Sequence, residues 1–205
     1  MARLILIIGP AQHGKSTVRK IISRLTGKKG GSCSDTIYHA WATLTGETEE
    51  SVRAWPKERV RPLLVALGDW LTGGRPDKDG HRKEVENFRQ NFPHHLLGNV
   101  DPELLAISGL EKPSASALIQ YSLNHGVEVL DGVRREDELT EYLARSTEKS
   151  GQPIVLWVEN PAWGRVTGDN FSVPEYYATH KILNTGTLED LEEAVKYFLA
   201  ATENW

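Results

Sequence analysis

The residues best suited to chemistry form a short glycine-rich segment near the N-terminus. Gly9-Pro-Ala-Gln-His-Gly14-Lys15-Ser16 matches the pattern G-x-x-x-x-G-K-[ST] at every fixed position. The glycines let the chain curl so that successive backbone N–H groups face one anion, and a following helix adds its positive N-terminal end. The segment is therefore predicted to bind the phosphates of a nucleotide. The residues assigned to nucleotide binding here are Gly9, Gln12, His13, Gly14, Lys15, Ser16 and Thr17.

Four side chains of this segment have separate expected roles. Lys15 is predicted to reach the β- and γ-phosphates and is a catalytic candidate, and the Ser16 hydroxyl is predicted to take a magnesium position. Thr17 is expected to support the start of the helix. His13 is expected to be neutral and to point outward from the loop, with no part in catalysis.

A second acidic candidate follows another apolar run. Residues 127–131 read Val-Glu-Val-Leu-Asp, and an aspartate at the tip of a strand beside a phosphate loop can hold magnesium directly or through water. The alternative is that Asp131 is a turn or helix-capping residue. Arg134 and Arg135 follow closely enough to contact a phosphate or an acceptor. Of the two, Arg134 is favoured as catalytic, and Arg135 is expected to be a solvated surface charge.

The elements that must position these residues alternate between strand and helix. Residues 4–8 are a β-favouring apolar run, and Val18, Ile21, Ile22 and Leu25 recur at helical spacing before Gly27. Further strands are predicted near residues 32–33, 127–130, 154–158 and 181–183, and Thr187 with Asp190 resembles a capping box before a final helix. This alternation predicts a parallel sheet with right-handed crossovers, which binds ligands beyond the carboxyl ends of its strands.

Composition narrows the class of protein. The chain has 205 residues, 39% apolar and 25% charged, which suits one globular α/β domain over residues 1–205. A net charge of −4 gives no sign of nucleic-acid binding, and the single Cys33 excludes an internal disulfide. The apolar run at residues 4–8 is too short for a signal peptide or a membrane span. We therefore expect a cytoplasmic protein with no membrane partner, and the oligomeric state stays open.

Four segments carry a resemblance to a known family: GPAQHGKST at 9–17, RPLLVALGDWL at 61–71, VLDGVRREDEL at 129–139 and ILNTGTLEDLEEAV at 182–195. The chain resembles the P-loop nucleoside and nucleotide kinases, particularly the deoxynucleoside monophosphate kinase-like enzymes of bacteriophages. The resemblance implies a three-layer αβα P-loop NTPase fold with about five parallel strands. It also implies ATP and Mg²⁺ as cofactors. Whether ATP or GTP donates the phosphoryl group stays open.

The resemblance also implies where substrates bind. A helical acceptor region would span about residues 34–125, and a lid would span about 160–174. Asn184-Thr185-Gly186 would lie near the nucleotide base, so Asn184 joins the nucleotide-binding residues. The lid carries Arg165 as its only arginine, whereas lids of monophosphate kinases usually carry several.

The acceptor is suggested by a second departure from the monophosphate kinases. Ser34-Asp35, after the expected second strand, resembles kinases whose acceptor is a hydroxyl group. A phosphate acceptor needs cationic clamps, whereas a hydroxyl profits from a carboxylate that takes its proton. Asp35 is therefore the candidate base, and the alternative is that it is the N-cap of the following helix.

Three functions stay open from the sequence. The first is a kinase for a nucleotide-level hydroxyl, of which the sharpest version phosphorylates 5-hydroxymethyluracil in phage DNA, as some phage P-loop kinases do on the way to hypermodified thymidines. The DNA carrying this modified pyrimidine would then be the partner, with Trp55 offering a stacking face. The second is a deoxynucleoside monophosphate kinase, which converts a dNMP and ATP into a dNDP and ADP. The third is a non-catalytic nucleotide-binding switch.

Overall fold

The computed structural model describes residues 3–56, 64–69, 71–72, 114–146, 152–166 and 171–202. The bounded helices and strands, in chain order, are β1 (Ile5–Ile8), α1 (Lys15–Thr26), β2 (Gly30–Ser32), α2 (Cys33–Thr45), α3 (Glu49–Ala54), α4 (Ala117–Asn124), β3 (Val129–Asp131), α5 (Glu136–Ser146), β4 (Ile154–Glu159), a 3₁₀ turn (Glu175–Tyr177), β5 (His180–Leu183) and α6 (Leu188–Thr202). Residues 64–69 are helical as well.

The five strands form one parallel sheet in the order β2-β3-β1-β4-β5. β1 lies at the centre, between β3 and β4, so the segment that follows β1 emerges in the middle of the carboxyl edge. Asp131 ends β3, and the segments after β4 and β5 leave from the same edge. Parallel sheets of this kind bind ligands at that edge, which is where most of the predicted site residues fall.

Both faces of the sheet are covered. One face packs on α1 and α6, and its core includes Ile7, Ile22, Leu156 and Val195. The alternate residues of the strands, such as Leu6 and Leu130, are also fully buried. A strand buried on both faces needs a continuous apolar sequence, which is why the run at residues 4–8 predicts a strand correctly. The predicted three-layer α/β P-loop fold is confirmed.

Short sequence motifs determine where two of the helices begin or end. Gly27 caps α1 in the left-handed conformation, with φ of 72°. Thr187 and Asp190 exchange the two bonds of a capping box, since Thr187 N–H donates to Asp190 Oδ2 at 2.8 Å and Asp190 N–H donates to Thr187 Oγ1 at 3.2 Å. Both features confirm the sequence expectation.

The chain divides into two compact units. The first comprises Met1–Ser32 and Ser122–Trp205 and contains the sheet, and the second is Cys33–Tyr121. In the second unit, Trp41 and Trp55 are partly buried against Ala42 and Val52, so packing covers part of the Trp55 side chain. Residues 73–113 lie outside the described residues, and so do residues 61–63 and 70 of the 61–71 segment. Across the described residues, no helix is both long and apolar enough to cross a membrane.

Candidate phosphate-binding site

The glycine-rich segment connects β1 to α1. Its backbone has positive φ angles, which suit its glycines but are unusual for other residues. Gly9 and Gly14 have φ of 138° and 99°, in the region open to glycine. Gln12 also has a positive φ, of 69°, which is unusual for a residue with a side chain. A Cβ atom on Gly9 would overlap the carbonyl oxygen of Val158 in β4, so only glycine fits there. The loop is therefore packed closely onto the end of the neighbouring strand.

The N-terminus of α1 is left open for an anion. Its N-cap is Gly14, no side chain caps its first turn, and that turn contains no acidic residue. In contrast, α3, α5 and α6 each carry two or three acids in their first turns. Acids in the first turn normally complement the positive end of a helix. Their absence from α1 leaves that end available to a phosphate group.

Lys15 and Ser16 begin the helix. The Lys15 ammonium donates a hydrogen bond of 2.5 Å to the carbonyl oxygen of Pro10, so the side chain folds back across the loop. Ser16 is exposed, and its hydroxyl can reach a ligand that approaches the helix end. Thr17 is half-buried. This arrangement places one cation and one hydroxyl at the open end of α1.

His13 differs from the expectation that it points outward. Its side chain is only 2% exposed, and its Nδ1 accepts a hydrogen bond of 3.1 Å from the backbone N–H of Asn160. The ring turns inward because the loop lies against the end of β4, where that N–H needs an acceptor. No local pattern indicates this contact, since residues 13 and 160 are far apart in the chain.

Asn184 braces the loop from the end of β5. Its Nδ2 donates to the carbonyl oxygen of His13 at 3.2 Å, and its own N–H donates to the carbonyl oxygen of Glu159 at 2.7 Å. A Cβ atom on Gly14 would lie 2.6 Å from the Asn184 side-chain nitrogen. The side chain expected near the nucleotide base thus also holds the phosphate loop in shape.

Asp131 ends β3 and pairs with a residue that the sequence patterns did not single out. Its Oδ2 lies 3.1 Å from Nε of Arg19 on α1, and the two side chains are 3% and 17% exposed. Arg19 lies one helical turn after Lys15, on the face of α1 toward the sheet. This helical spacing is the feature of the sequence that could have identified Arg19. Among the magnesium candidates, exposed Ser16 fits a metal that accompanies a triphosphate. The Arg19 contact involves only Oδ2 of Asp131, so the other carboxylate oxygen is not committed by it.

The Arg19–Asp131 pair makes a stability prediction. Asp131→Ala removes a carboxylate that lies against a mostly buried guanidinium, which costs about 3 kcal/mol in the free energy of unfolding. The exposed pair Arg145–Glu141 on α5 serves as control, and Arg145→Ala should change the stability little. Urea denaturation of both variants measures the difference. Equal, small effects would show that the Asp131 pair is not a structural tie between α1 and β3.

Arg135 is not the solvated surface charge that was expected. It is 7% exposed, and its Nε lies 2.9 Å from Asp137 and 3.4 Å from Glu138. Glu138 in turn accepts the backbone N–H of Arg134 at 3.0 Å. Burial raises the pKa of Glu138, although the charge of Arg135 and the backbone bonds act to lower it. These contacts organise the start of α5 and leave Arg134, which is half-buried, as the candidate for ligand contact.

The segment predicted as a lid is partly described. Asn160 begins a tight turn in which its Oδ1 accepts from Ala162 N–H at 3.0 Å and its carbonyl accepts from Trp163 N–H at 3.1 Å. Trp163 is 55% exposed, and Arg165 is exposed as well. Residues 167–170 lie outside the described residues. After them the chain returns along the β3–α5 connection, where Ser172 N–H donates to Arg134 O at 2.8 Å.

Asp35 belongs to the second unit. It lies inside the first turn of α2, which begins at Cys33, so it is not the N-cap of that helix. Its Oδ1 accepts a hydrogen bond of 2.8 Å from Arg53, and the Arg53 guanidinium also lies 4.2 Å from the centre of the Tyr38 ring. Arg53 is thus held by two neighbours on α2. The carboxylate of Asp35 is 44% exposed.

Two further observations concern metal ligands and surface grooves. Within the described ranges, no group of three or more His, Cys, Asp or Glu side chains could hold a metal ion by itself. A shallow groove beside β5 and α6, lined by Lys181, Leu183 and Tyr197 among others, contains none of the predicted site residues.

A parallel sheet with this strand order and a glycine-rich loop between β1 and α1 defines a P-loop fold of the nucleotide-kinase type. No family model matches the chain, and no curated protein sequence matches it. Among solved structures, TT1252 from Thermus thermophilus is similar at 20% identity and a TM-score of 0.42, covering 98% of this chain and 99% of that one. A sugar kinase from Janibacter sp. HTCC2649 is similar at 14% identity and a TM-score of 0.40, covering 98% and 96%. Likenesses of this degree carry no conclusion about activity.

Proposed function

We propose that this chain is an ATP-dependent kinase that transfers the γ-phosphoryl group to a nucleotide-level acceptor. The observation that carries the proposal is the loop between β1 and α1, with its complete G-x-x-x-x-G-K-[ST] pattern and the open N-terminus of α1 behind it. A helix end with neither a capping side chain nor a first-turn acid is suited to a polyanion. A phosphate loop of this kind binds the triphosphate of ATP or GTP.

The residues of the chain have distinct roles in this proposal. The loop amides and Lys15 hold the triphosphate, and Ser16 binds the magnesium that accompanies it. Bound magnesium would neutralise part of the phosphate charge. Arg134 offsets the charge that spreads over the moving phosphoryl group, and Asp35 orients or deprotonates the acceptor. Positioning and electrostatics would provide most of the acceleration, because phosphoryl transfer needs little covalent help from the protein.

The acceptor we propose is the hydroxymethyl group of 5-hydroxymethyluracil in phage DNA. Two features support a hydroxyl acceptor: Asp35 carries an exposed carboxylate, and Arg165 is the only arginine between residues 160 and 174. A hydroxyl gives up a proton during transfer and needs few cations, whereas a phosphate acceptor needs several. A later step of thymidine hypermodification would then use the phosphorylated base.

An acceptor panel tests the proposal. The protein is incubated with γ-labelled ATP, Mg²⁺ and one of three acceptors: duplex DNA containing 5-hydroxymethyluracil, the same DNA with thymine, or a set of free deoxynucleoside monophosphates. We expect label in the modified DNA and none in the thymine control. The products are separated by digestion and chromatography.

The other outcomes of the panel each have a definite meaning. Brisk conversion of a free monophosphate with no label in DNA would replace the proposed acceptor with that of a deoxynucleoside monophosphate kinase. Nucleotide binding without transfer to any acceptor would favour the switch. Absence of nucleotide binding at millimolar concentrations with Mg²⁺ would overturn the kinase altogether.

A further inference from the structure

The buried imidazole of His13 is part of the phosphate loop but has no role in the mechanism above. Its ring is 2% exposed, and its Nδ1 accepts the Asn160 N–H at 3.1 Å. Because Nδ1 is the acceptor, a neutral ring carries its proton on Nε2. Among the described residues Nε2 has no hydrogen-bond partner.

This arrangement is hard to explain as space filling. A buried N–H without a partner is unfavourable, and an apolar side chain of similar size would fill the space without that cost. One feature that distinguishes histidine from such a side chain is the acceptor at Nδ1, which the structure shows in use. The hydrogen bond to Asn160 is therefore the property that can explain a histidine at position 13.

Asn160 is the residue on which the turn after β4 is built. Its side chain accepts from Ala162 and its carbonyl accepts from Trp163, so its position fixes the direction of the next residues. Those residues include the exposed side chains Trp163 and Arg165. The loop end of the contact is equally well held, because the carbonyl of His13 accepts from Asn184.

We propose that His13 is a positioning residue that locks the 160–163 turn to the phosphate loop, so that turn and loop respond to a nucleotide as one unit. The inference rests on the proposed function only in taking the loop as the nucleotide site. His13 itself does not touch the reacting atoms. Its effect passes through the backbone of Asn160.

Three substitutions separate this role from simple packing. His13→Leu keeps bulk and removes the acceptor. His13→Asn keeps an oxygen one bond beyond Cγ, where Nδ1 lies, and can still accept from Asn160. His13→Gln carries its amide one bond further out, near the position of Nε2. A thermal unfolding curve of each variant establishes that it is folded.

The readout is the ¹⁹F spectrum of protein labelled with 5-fluorotryptophan, in which the Trp163 signal is assigned by its loss in Trp163→Phe. Without nucleotide, we expect a shifted or broadened Trp163 signal in the Leu and Gln variants and a signal close to that of the unchanged protein in the Asn variant. The dissociation constant for MgATP should rise about tenfold in the Leu variant, and the Asn variant should largely restore it.

Two results would overturn the inference: an unchanged Trp163 signal in the Leu variant, or an Asn variant that behaves like the Leu variant. Failure of the unchanged protein to bind MgATP would instead contradict the proposed function. The nucleotide-free ¹⁹F comparison would still decide the role of His13, so the two failures are distinguishable.

Discussion

Lys15→Ala should lower the rate of phosphoryl transfer by about a thousandfold or more while the protein stays folded. The side chain is the one lysine or arginine of the 9–16 loop, and it folds back to Pro10 across the loop that is expected to hold the triphosphate. Removing it deletes charge where charge accumulates in the transition state. The measurement is single-turnover transfer from ATP to whichever acceptor the panel identifies.

Lys20→Ala is the matched control for that experiment. Lys20 is an exposed lysine on the same helix, so its loss changes the net charge equally. It should leave the rate within about twofold, because exposed charges at a distance are screened by salt. Near-normal turnover by Lys15→Ala, with a normal unfolding curve, would mean that the mechanism is wrong.

Asp35→Asn should reduce transfer to a hydroxyl acceptor by about 10²–10⁴-fold, which is the usual contribution of a general base. MgATP binding should be unchanged, since Asp35 is not assigned to the triphosphate. The amide keeps the size of the carboxylate but cannot take a proton. Transfer and nucleotide affinity are measured on the same preparation.

Two controls isolate the carboxylate from its setting. Glu50→Gln neutralises an acid in the first turn of α3 and should have no effect. Arg53→Gln removes the 2.8 Å partner of Asp35 but keeps the candidate base, so part of the activity should survive. If Asp35→Asn transfers phosphate normally, Asp35 is only a first-turn residue of α2 and the acceptor must find its base elsewhere.

Sequence was sufficient where the deciding interactions are local. The capping box at Thr187 and Asp190, the glycine stop at Gly27 and the buried run of β1 all depend on residues a few positions apart. The phosphate loop also belongs to this group, because its glycines and the helix that follows are contiguous. The parallel sheet then follows from alternation and the handedness of crossovers.

Sequence was insufficient where distant segments meet. The inward turn of His13 depends on Asn160, and the partner of Asp131 depends on how α1 lies against β3. Arginine is usually a surface residue, so the sequence predicts a surface charge at position 135. The residue type does not indicate that Asp137 and Glu138 lie against its guanidinium. Such pairings follow from the register of packed elements, which residue types alone do not encode.

Gln12 has a further consequence for the loop. A left-handed backbone at a residue with a side chain costs on the order of 1–3 kcal/mol, and it persists only where the surroundings enforce it. The neighbours that enforce it are the ends of β4 and β5, which contact the chain at Gly9, His13 and Gly14. A loop already held in this conformation has little backbone freedom left to lose when a polyanion binds, so association costs little chain entropy and should be fast.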